Sequence, residues 1–156
     1  MKNLNFKKDL TNYDIMNICN TLGIKLNGIY MKDDLPSNVK DGNYILNLQN
    51  HDQVGTHWVG FFKLKNNIYW FDAFGVYPMQ NEMNIFQKNG YNIYYSNIQI
   101  QDINSILCGY FVIGYLYFIN KMKGSIQKRI SKYQQLFNFD NQKGNDKILI
   151  SLFRQF

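Results

Sequence analysis

The chain of 156 residues carries a formal charge of +6, and aromatic side chains occupy 17% of its positions. This length allows a sizeable core, and no linker-like stretch divides the chain, so a single domain spanning 1–156 is expected. Two cysteines cannot build a disulfide framework, the N-terminus has no apolar signal core, and no apolar segment is long enough to span a membrane. We therefore expect an intracellular protein of a reducing compartment that is not secreted and has no membrane partner.

The first part of the chain is predicted to hold one helix and two strands. Apolar residues at helical spacing indicate a helix over 11–22, which places Cys19 in the core. The following stretch, 24–30, is predicted to be an irregular segment that leads inward. Strands are predicted over Asn43–Leu48 and Thr56–Leu64, each bounded by polar or turn-forming residues.

The strand Ile68–Asp72 follows the second of these after Asn66-Asn67, and two asparagines between apolar strands are typical of an antiparallel hairpin. In such a hairpin His57 starts one strand and Asp72 ends the other. The two side chains are therefore predicted to lie at the same end of the hairpin, within reach of each other.

The second half of the chain is predicted to be mainly helical. A short helix over 80–88 and a strand over Asn92–Ser96 precede a helix over 107–122 that is apolar nearly all round and therefore buried. Two amphipathic helices, about 126–137 and 145–153, follow it. The predicted fold is α+β, with a mostly antiparallel central sheet flanked by helices and Cys108 at the start of the buried helix.

Cys108 is the strongest candidate for a catalytic residue. A helix N-terminus favours the thiolate form of a cysteine, although a buried, inert thiol is the commoner fate of a free cysteine. A thiol nucleophile needs a general base, a group that orients that base, and a donor for the oxyanion. The chain has two histidines, His51 and His57. His57, Asp72 and Gln101 can fill these three roles.

Taken singly, each of these residues also has a purely structural interpretation. His57 can be a satisfied histidine at a strand start, Asp72 can cap a turn, and Gln101 can be a loop amide. The combination is far more specific than its members.

These residues, in the chain order His57, Asp72, Gln101 and Cys108, resemble the site of the adenovirus-type, adenain-like viral maturation cysteine proteases. Those proteases are related to the SUMO-deconjugating proteases. The Gln101-to-Cys108 step of seven residues matches the adenain-type spacing, and Leu107 stands where the SUMO-deconjugating proteases usually carry Asp. The resemblance is carried by four segments, namely His57-Trp58, Trp70 to Gly75, Gln101, and Cys108-Gly109.

The resemblance implies a papain-like or adenain-like fold and a cysteine endopeptidase that cuts viral capsid precursors during particle maturation, in the virion and the infected cell. It implies Cys108 as nucleophile, His57 as general base and Asp72 as the orienting group. The separation of His57 and Asp72 is slightly shorter than the family's, which leaves Asp102 as an alternative orienting carboxylate. The oxyanion hole would comprise the amide of Gln101 and the backbone N–H of Cys108. Trp58 would shape the site or simply belong to the core, and Gly109 would let the substrate backbone approach. Source organisms that fit the composition are a large DNA virus, a virophage or a related transposon.

Two alternative functions remain open at this stage. A deconjugase of ubiquitin-like modifiers would use the same chemistry in a different substrate groove. A non-catalytic protein would bind DNA or partner proteins through a basic segment. No cofactor is expected to be required, although some relatives are stimulated by DNA or by a capsid-derived peptide, and a disulfide-linked peptide would need an exposed cysteine that Cys19 does not provide. The cationic residues of the basic segment are Lys121, Lys123, Lys128, Arg129 and Lys132.

Overall fold

The fold is taken from a computed structural model, which describes Met1, residues 3–49 and residues 57–156. His51, and the predicted strand start at Thr56 with Gly55 before it, lie outside the described residues. No helix in the described ranges is long and apolar enough to cross a membrane. Within the same ranges, no cluster of three or more His, Cys, Asp or Glu side chains could hold a metal ion.

Five strands form one mixed sheet in the order β1-β2-β3-β4-β5. The inner pairings, β2 with β3 and β3 with β4, are antiparallel. The outer pairings, β1 with β2 and β4 with β5, are parallel. The strands are β1 (Leu26–Met31), β2 (Gly42–Asn47), β3 (Trp58–Leu64), β4 (Asn67–Phe71) and β5 (Asn92–Tyr95).

Helices cover both faces of this sheet and bury two separate cores. On one face, Phe86 of α2 packs against Phe61 and Trp70. On the other face, α3 lies across the sheet and is enclosed by α1, α4 and α5. The helices are α1 (Asn12–Thr21), α2 (Gln80–Lys88), α3 (Cys108–Lys121), α4 (Ile126–Gln134) and α5 (Asn145–Gln155), with a short 3₁₀ turn at Gln142–Gly144 before α5.

Local sequence signals account for the ends of α1. Thr11 accepts a hydrogen bond from the backbone N–H of Asp14, whose carboxylate accepts from the backbone N–H of Thr11, so the pair forms a capping box. The helix ends before Gly23, which adopts a φ of 67°. As predicted, Cys19 is fully buried in the core.

The α+β class is confirmed, but three details of the prediction are wrong. The sheet is mixed rather than mostly antiparallel, because two of its four pairings are parallel. The stretch predicted to be irregular contains β1, whose pairing with β2 shifts register between Leu26 and Gly28. The hairpin turn comprises Lys65 and Asn66 rather than Asn66-Asn67, since Lys65 adopts the positive φ of 53° and Asn67 already pairs with Leu64.

Candidate active site

The hairpin brings His57 and Asp72 together at one end of the sheet, as the sequence predicted. His57 directly precedes β3 and Asp72 directly follows β4. The His57 Nε2 and Asp72 Oδ1 atoms are 2.9 Å apart, within hydrogen-bonding distance. The same carboxylate oxygen accepts a hydrogen bond of 2.8 Å from the backbone N–H of Phe74, which fixes its orientation. The carboxylate therefore holds the imidazole in one orientation.

Phe74 is a site residue whose role the sequence did not reveal. Its ring stacks on the His57 imidazole, with centroids 4.8 Å apart and an interplanar angle of 23°. A stacked ring and a bonded carboxylate restrict the imidazole from two directions. The chain then turns at Gly75, where the backbone N–H donates to the Asp72 carbonyl and φ is 75°. A side chain at Gly75 would meet the backbone of Asn97, so the turn requires glycine.

Cys108 is the first residue of α3 and lies beside the start of β3. The backbone N–H of Trp58 donates to the Cys108 Sγ at 3.5 Å. Because Trp58 directly follows His57, this contact brings the thiol next to the imidazole. The Cys108 thiol is also near enough to the imidazole to raise the pKa of His57. The structure thus brings three of the predicted site residues together: His57, Asp72 and Cys108.

The electrostatics of His57 favour its protonated form. Burial by itself would lower the pKa of the imidazole, but its interactions with Asp72 and Cys108 outweigh burial and raise the pKa to about 9. The His57 side chain is 16% exposed, whereas Cys108 is only 4% exposed. Water is therefore largely excluded, and interactions between charges are stronger than at a surface.

Gln101 lies in the loop before α3, and its side chain is turned toward that loop. Its Nε2 donates to the Ser105 carbonyl at 3.0 Å, while its Oε1 is buried and has no hydrogen-bond partner in the part of the chain that the structure describes. The backbone N–H groups of Ile100 and Gln101 both donate to the Ala73 carbonyl. The loop is therefore joined to the chain just after Asp72, although no direct contact links Gln101 to Cys108 among the described hydrogen bonds.

Trp58 and Gly109 pack against the amino-terminal segment. The Trp58 indole is buried, and its Nε1 donates to the Leu10 carbonyl at 2.9 Å. A Cβ at Gly109 would lie 3.0 Å from Leu10 Cδ1 and 3.4 Å from Trp58 Cδ1. Protein atoms thus explain the absence of a side chain at Gly109, and its predicted contact with a substrate stays a prediction. Leu10, which the sequence analysis did not identify, fixes the Trp58 indole.

Asp102 forms hydrogen bonds within its own turn. Its Oδ1 accepts from the backbone N–H of Asn104, and its carbonyl accepts from that of Ser105. The imidazole of His57 bonds to Asp72, so the structure favours Asp72 over Asp102 as the orienting carboxylate.

The basic segment spans the end of α3 and the start of α4, and part of it has a structural role. Arg129 donates to the carbonyls of Gly124 at 2.8 Å and Ile119 at 2.6 Å, so it caps the end of α3. The Lys121, Lys123, Lys128 and Lys132 side chains are exposed. Contact of these residues with DNA stays a prediction.

No protein-family model and no curated protein matches the chain. Among solved structures, the chain is similar to the central domain of the uncharacterized Lpg1148 protein from Legionella pneumophila, at 14% sequence identity and a TM-score of 0.51. The alignment covers 96% of each chain. At this identity the similarity concerns the fold alone, an α+β arrangement with a five-stranded mixed sheet between helices.

Proposed function

We propose that the chain is a cysteine endopeptidase in which Cys108 is the nucleophile, His57 the general base and Asp72 the residue that orients the base. One observation carries the proposal. The His57 imidazole lies 2.9 Å from the Asp72 carboxylate, and the next residue, Trp58, donates its backbone N–H to the Cys108 Sγ. A carboxylate, an imidazole and a thiol in this order are the groups that nucleophilic catalysis by cysteine requires.

The arrangement assigns a task to each nitrogen of the imidazole. Because Nε2 is engaged by Asp72, Nδ1 is the nitrogen that takes the thiol proton. The Cys108 thiolate then attacks the carbonyl carbon of the scissile peptide, and the carbonyl oxygen takes the negative charge. The protonated His57 gives its proton to the leaving amine, and an acyl-enzyme remains. Water attacks this thioester, His57 accepts a proton from the water, and the carboxylic acid leaves as the thiol re-forms.

Two donors would stabilise the oxyanion. Cys108 begins α3, so its backbone N–H has no partner within the helix and points toward the helix N-terminus. The Gln101 amide has two N–H groups, and the Ser105 carbonyl takes one of them. The second N–H is the donor that we assign to the oxyanion. Removing one such donor costs about 10²–10³ in turnover in a well-studied protease.

The substrates that we propose are viral structural precursors, cleaved during particle maturation in the infected cell and the virion. The adenain-like spacing between Gln101 and Cys108, and the place of Leu107 before the thiol, support this substrate class over ubiquitin-like conjugates. The chemistry at Cys108 is the same for both classes, so substrate cleavage distinguishes them.

The test is co-expression of the chain with the structural proteins of its source, with cleavage products identified by mass spectrometry. Cleavage by the wild type that disappears in Cys108→Ala and in His57→Ala, with both variants folded, is the expected result. Incubation with ubiquitin-like vinyl sulfones tests the alternative substrate class. Cleavage that persists in Cys108→Ala would contradict the proposal, and reaction with the ubiquitin-like probes in place of precursor cleavage would reassign the substrate.

A further inference from the structure

Ser105 connects the loop of Gln101 to the start of α3. Its carbonyl accepts from the Gln101 Nε2 at 3.0 Å, and its Oγ accepts from the Leu107 backbone N–H at 3.1 Å. Leu107 is the N-cap residue of α3 and directly precedes Cys108. One serine therefore contacts both the residue that we assign to the oxyanion and the helix start that carries the thiol.

The carboxyl-terminal helix holds this serine in place. Asp146, in the first turn of α5, accepts a hydrogen bond of 2.8 Å from the Ser105 Oγ. Both side chains are partly buried. Because the Ser105 hydroxyl has one hydrogen, donation to Asp146 leaves its oxygen free to accept from Leu107. The carboxylate thus decides which way the hydroxyl points.

Neighbouring contacts hold the same loop to the same helix. Asn145, at the start of α5 and fully buried, donates to the Ile100 carbonyl at 2.8 Å. Its Oδ1 accepts from the backbone N–H of Asn138, and its Nδ2 also donates to the Asn138 carbonyl. The backbone on either side of Gln101 is therefore fixed by Asn145 before it and by Ser105 and Asp146 after it.

We infer that Asp146 is a positioning residue of the active site, which acts through Ser105 to hold the Gln101 amide where the oxyanion forms. This inference rests on the proposed peptidase function. It extends the site to α5, which begins 37 residues after Cys108 in the sequence. Asp146 does not contact the reacting atoms, so its removal is expected to affect oxyanion binding and to leave the reactivity of the thiol unchanged.

Two probes separate these effects. A peptide aldehyde, an acetylated tetrapeptide ending in Gly-glycinal, forms a hemithioacetal when the thiolate adds to the aldehyde carbon and the oxygen takes a proton. That oxygen occupies the oxyanion position, so the dissociation constant from calorimetry reports the oxyanion hole. Methyl methanethiosulfonate transfers a methylthio group to the thiolate and releases methanesulfinate. This reaction forms no oxyanion, and its rate at Cys108 reports the thiol alone.

We expect Asp146→Ala to weaken aldehyde binding roughly fivefold to tenfold, the effect of one lost hydrogen bond. Its methylthiolation rate should match the wild type. Asp146→Asn keeps an acceptor for the Ser105 hydroxyl and should bind the aldehyde as the wild type does. The matched control is Asp140→Ala, which removes the same charge from an exposed position just before the 3₁₀ turn. Ser105→Ala and the Ser105→Ala/Asp146→Ala double variant should each resemble Asp146→Ala, because each of the two substitutions removes the same hydrogen bond between Ser105 and Asp146.

Wild-type aldehyde binding by Asp146→Ala would overturn the inference, as would a loss in Asp146→Asn equal to that in Asp146→Ala. A fall in the melting temperature of Asp146→Ala with unchanged aldehyde binding would assign Asp146 a purely structural role and would also overturn it. A wild-type protein that is methylthiolated at Cys108 but binds no aldehyde would contradict the proposed peptidase function itself, and this inference with it.

Discussion

Replacing Asp72 with Asn should lower the pKa of His57 markedly. The wild-type pKa is raised to about 9 by the interactions with Asp72 and Cys108, against burial, which acts in the opposite direction. Asn keeps the shape and can still accept the Phe74 N–H, but it removes the negative charge. A hydrogen bond to a charged group contributes about 1.5–3 kcal/mol, and one pKa unit corresponds to about 1.4 kcal/mol. We therefore expect the pKa of His57 to fall by about one to two units.

The assay is an NMR titration of the imidazole in the wild type and in Asp72→Asn. A His51→Gln background leaves His57 as the one histidine of the chain. The same change should alter the dependence of stability on pH. A raised histidine pKa stabilises the folded state fully below the unfolded value, about 6.5, and this contribution is lost as the pH rises through about 9. Asp72→Asn should lose less stability than the wild type as the pH rises from about 6.5 to about 9. A pKa of His57 that stays near 9 in Asp72→Asn would refute this account of the site.

Three further predictions concern the scaffold. Glu82 is buried, neither of its carboxylate oxygens has a hydrogen-bond partner among the described residues, and burial raises its pKa. Glu82→Leu should therefore raise the melting temperature, by more as the pH rises above about 4.3, the unfolded pKa of Glu. The Tyr133 hydroxyl donates to the buried Phe111 carbonyl at 2.7 Å, so Tyr133→Phe should cost about 1 kcal/mol in urea unfolding with an unchanged m-value. Gly109→Ala would place a Cβ 3.0 Å from Leu10 Cδ1, and overpacking should destabilise the fold by about 1–3 kcal/mol in the same assay.

The sequence predicted those parts of the molecule that local periodicity specifies. The helix from Cys108 is apolar around nearly its whole circumference, and eleven of its fourteen residues are buried. The hairpin of β3 and β4 was predicted because two apolar runs flank a short polar turn. The proximity of His57 and Asp72 follows from the antiparallel pairing alone, since one strand begins where the other ends.

The strand β1 could not be predicted because it lacks the alternation of a half-buried strand. Gly28 interrupts it, and the Tyr30 ring fills the space that a side chain at Gly28 would need. Its partner is β2, in a parallel pairing that depends on a connection of ten residues rather than on a tight turn. Parallel partners are chosen by tertiary packing, which the local sequence does not encode.

The site is predictable to the extent that its residues occur in local motifs. His57, Asp72 and Cys108 each stand at the end of a recognisable element. Ser105 and Asp146 carry no such signal, because a serine in a loop and an acid in the first turn of a helix are common everywhere. Their contact depends on how α5 packs against the loop, and only the tertiary structure shows it.

The central claim is that Cys108 is a thiol nucleophile that His57 activates. Its most direct test is intact-mass spectrometry after incubation with a tetrapeptide vinyl methyl sulfone ending in Gly-Gly. We predict one adduct per chain, located on Cys108, with none on Cys19, whose burial raises the pKa of its thiol to about 12. The adduct should be absent in Cys108→Ala and should form far more slowly in His57→Ala. An adduct that persists in Cys108→Ala, or forms at the wild-type rate in a folded His57→Ala variant, would contradict the claim.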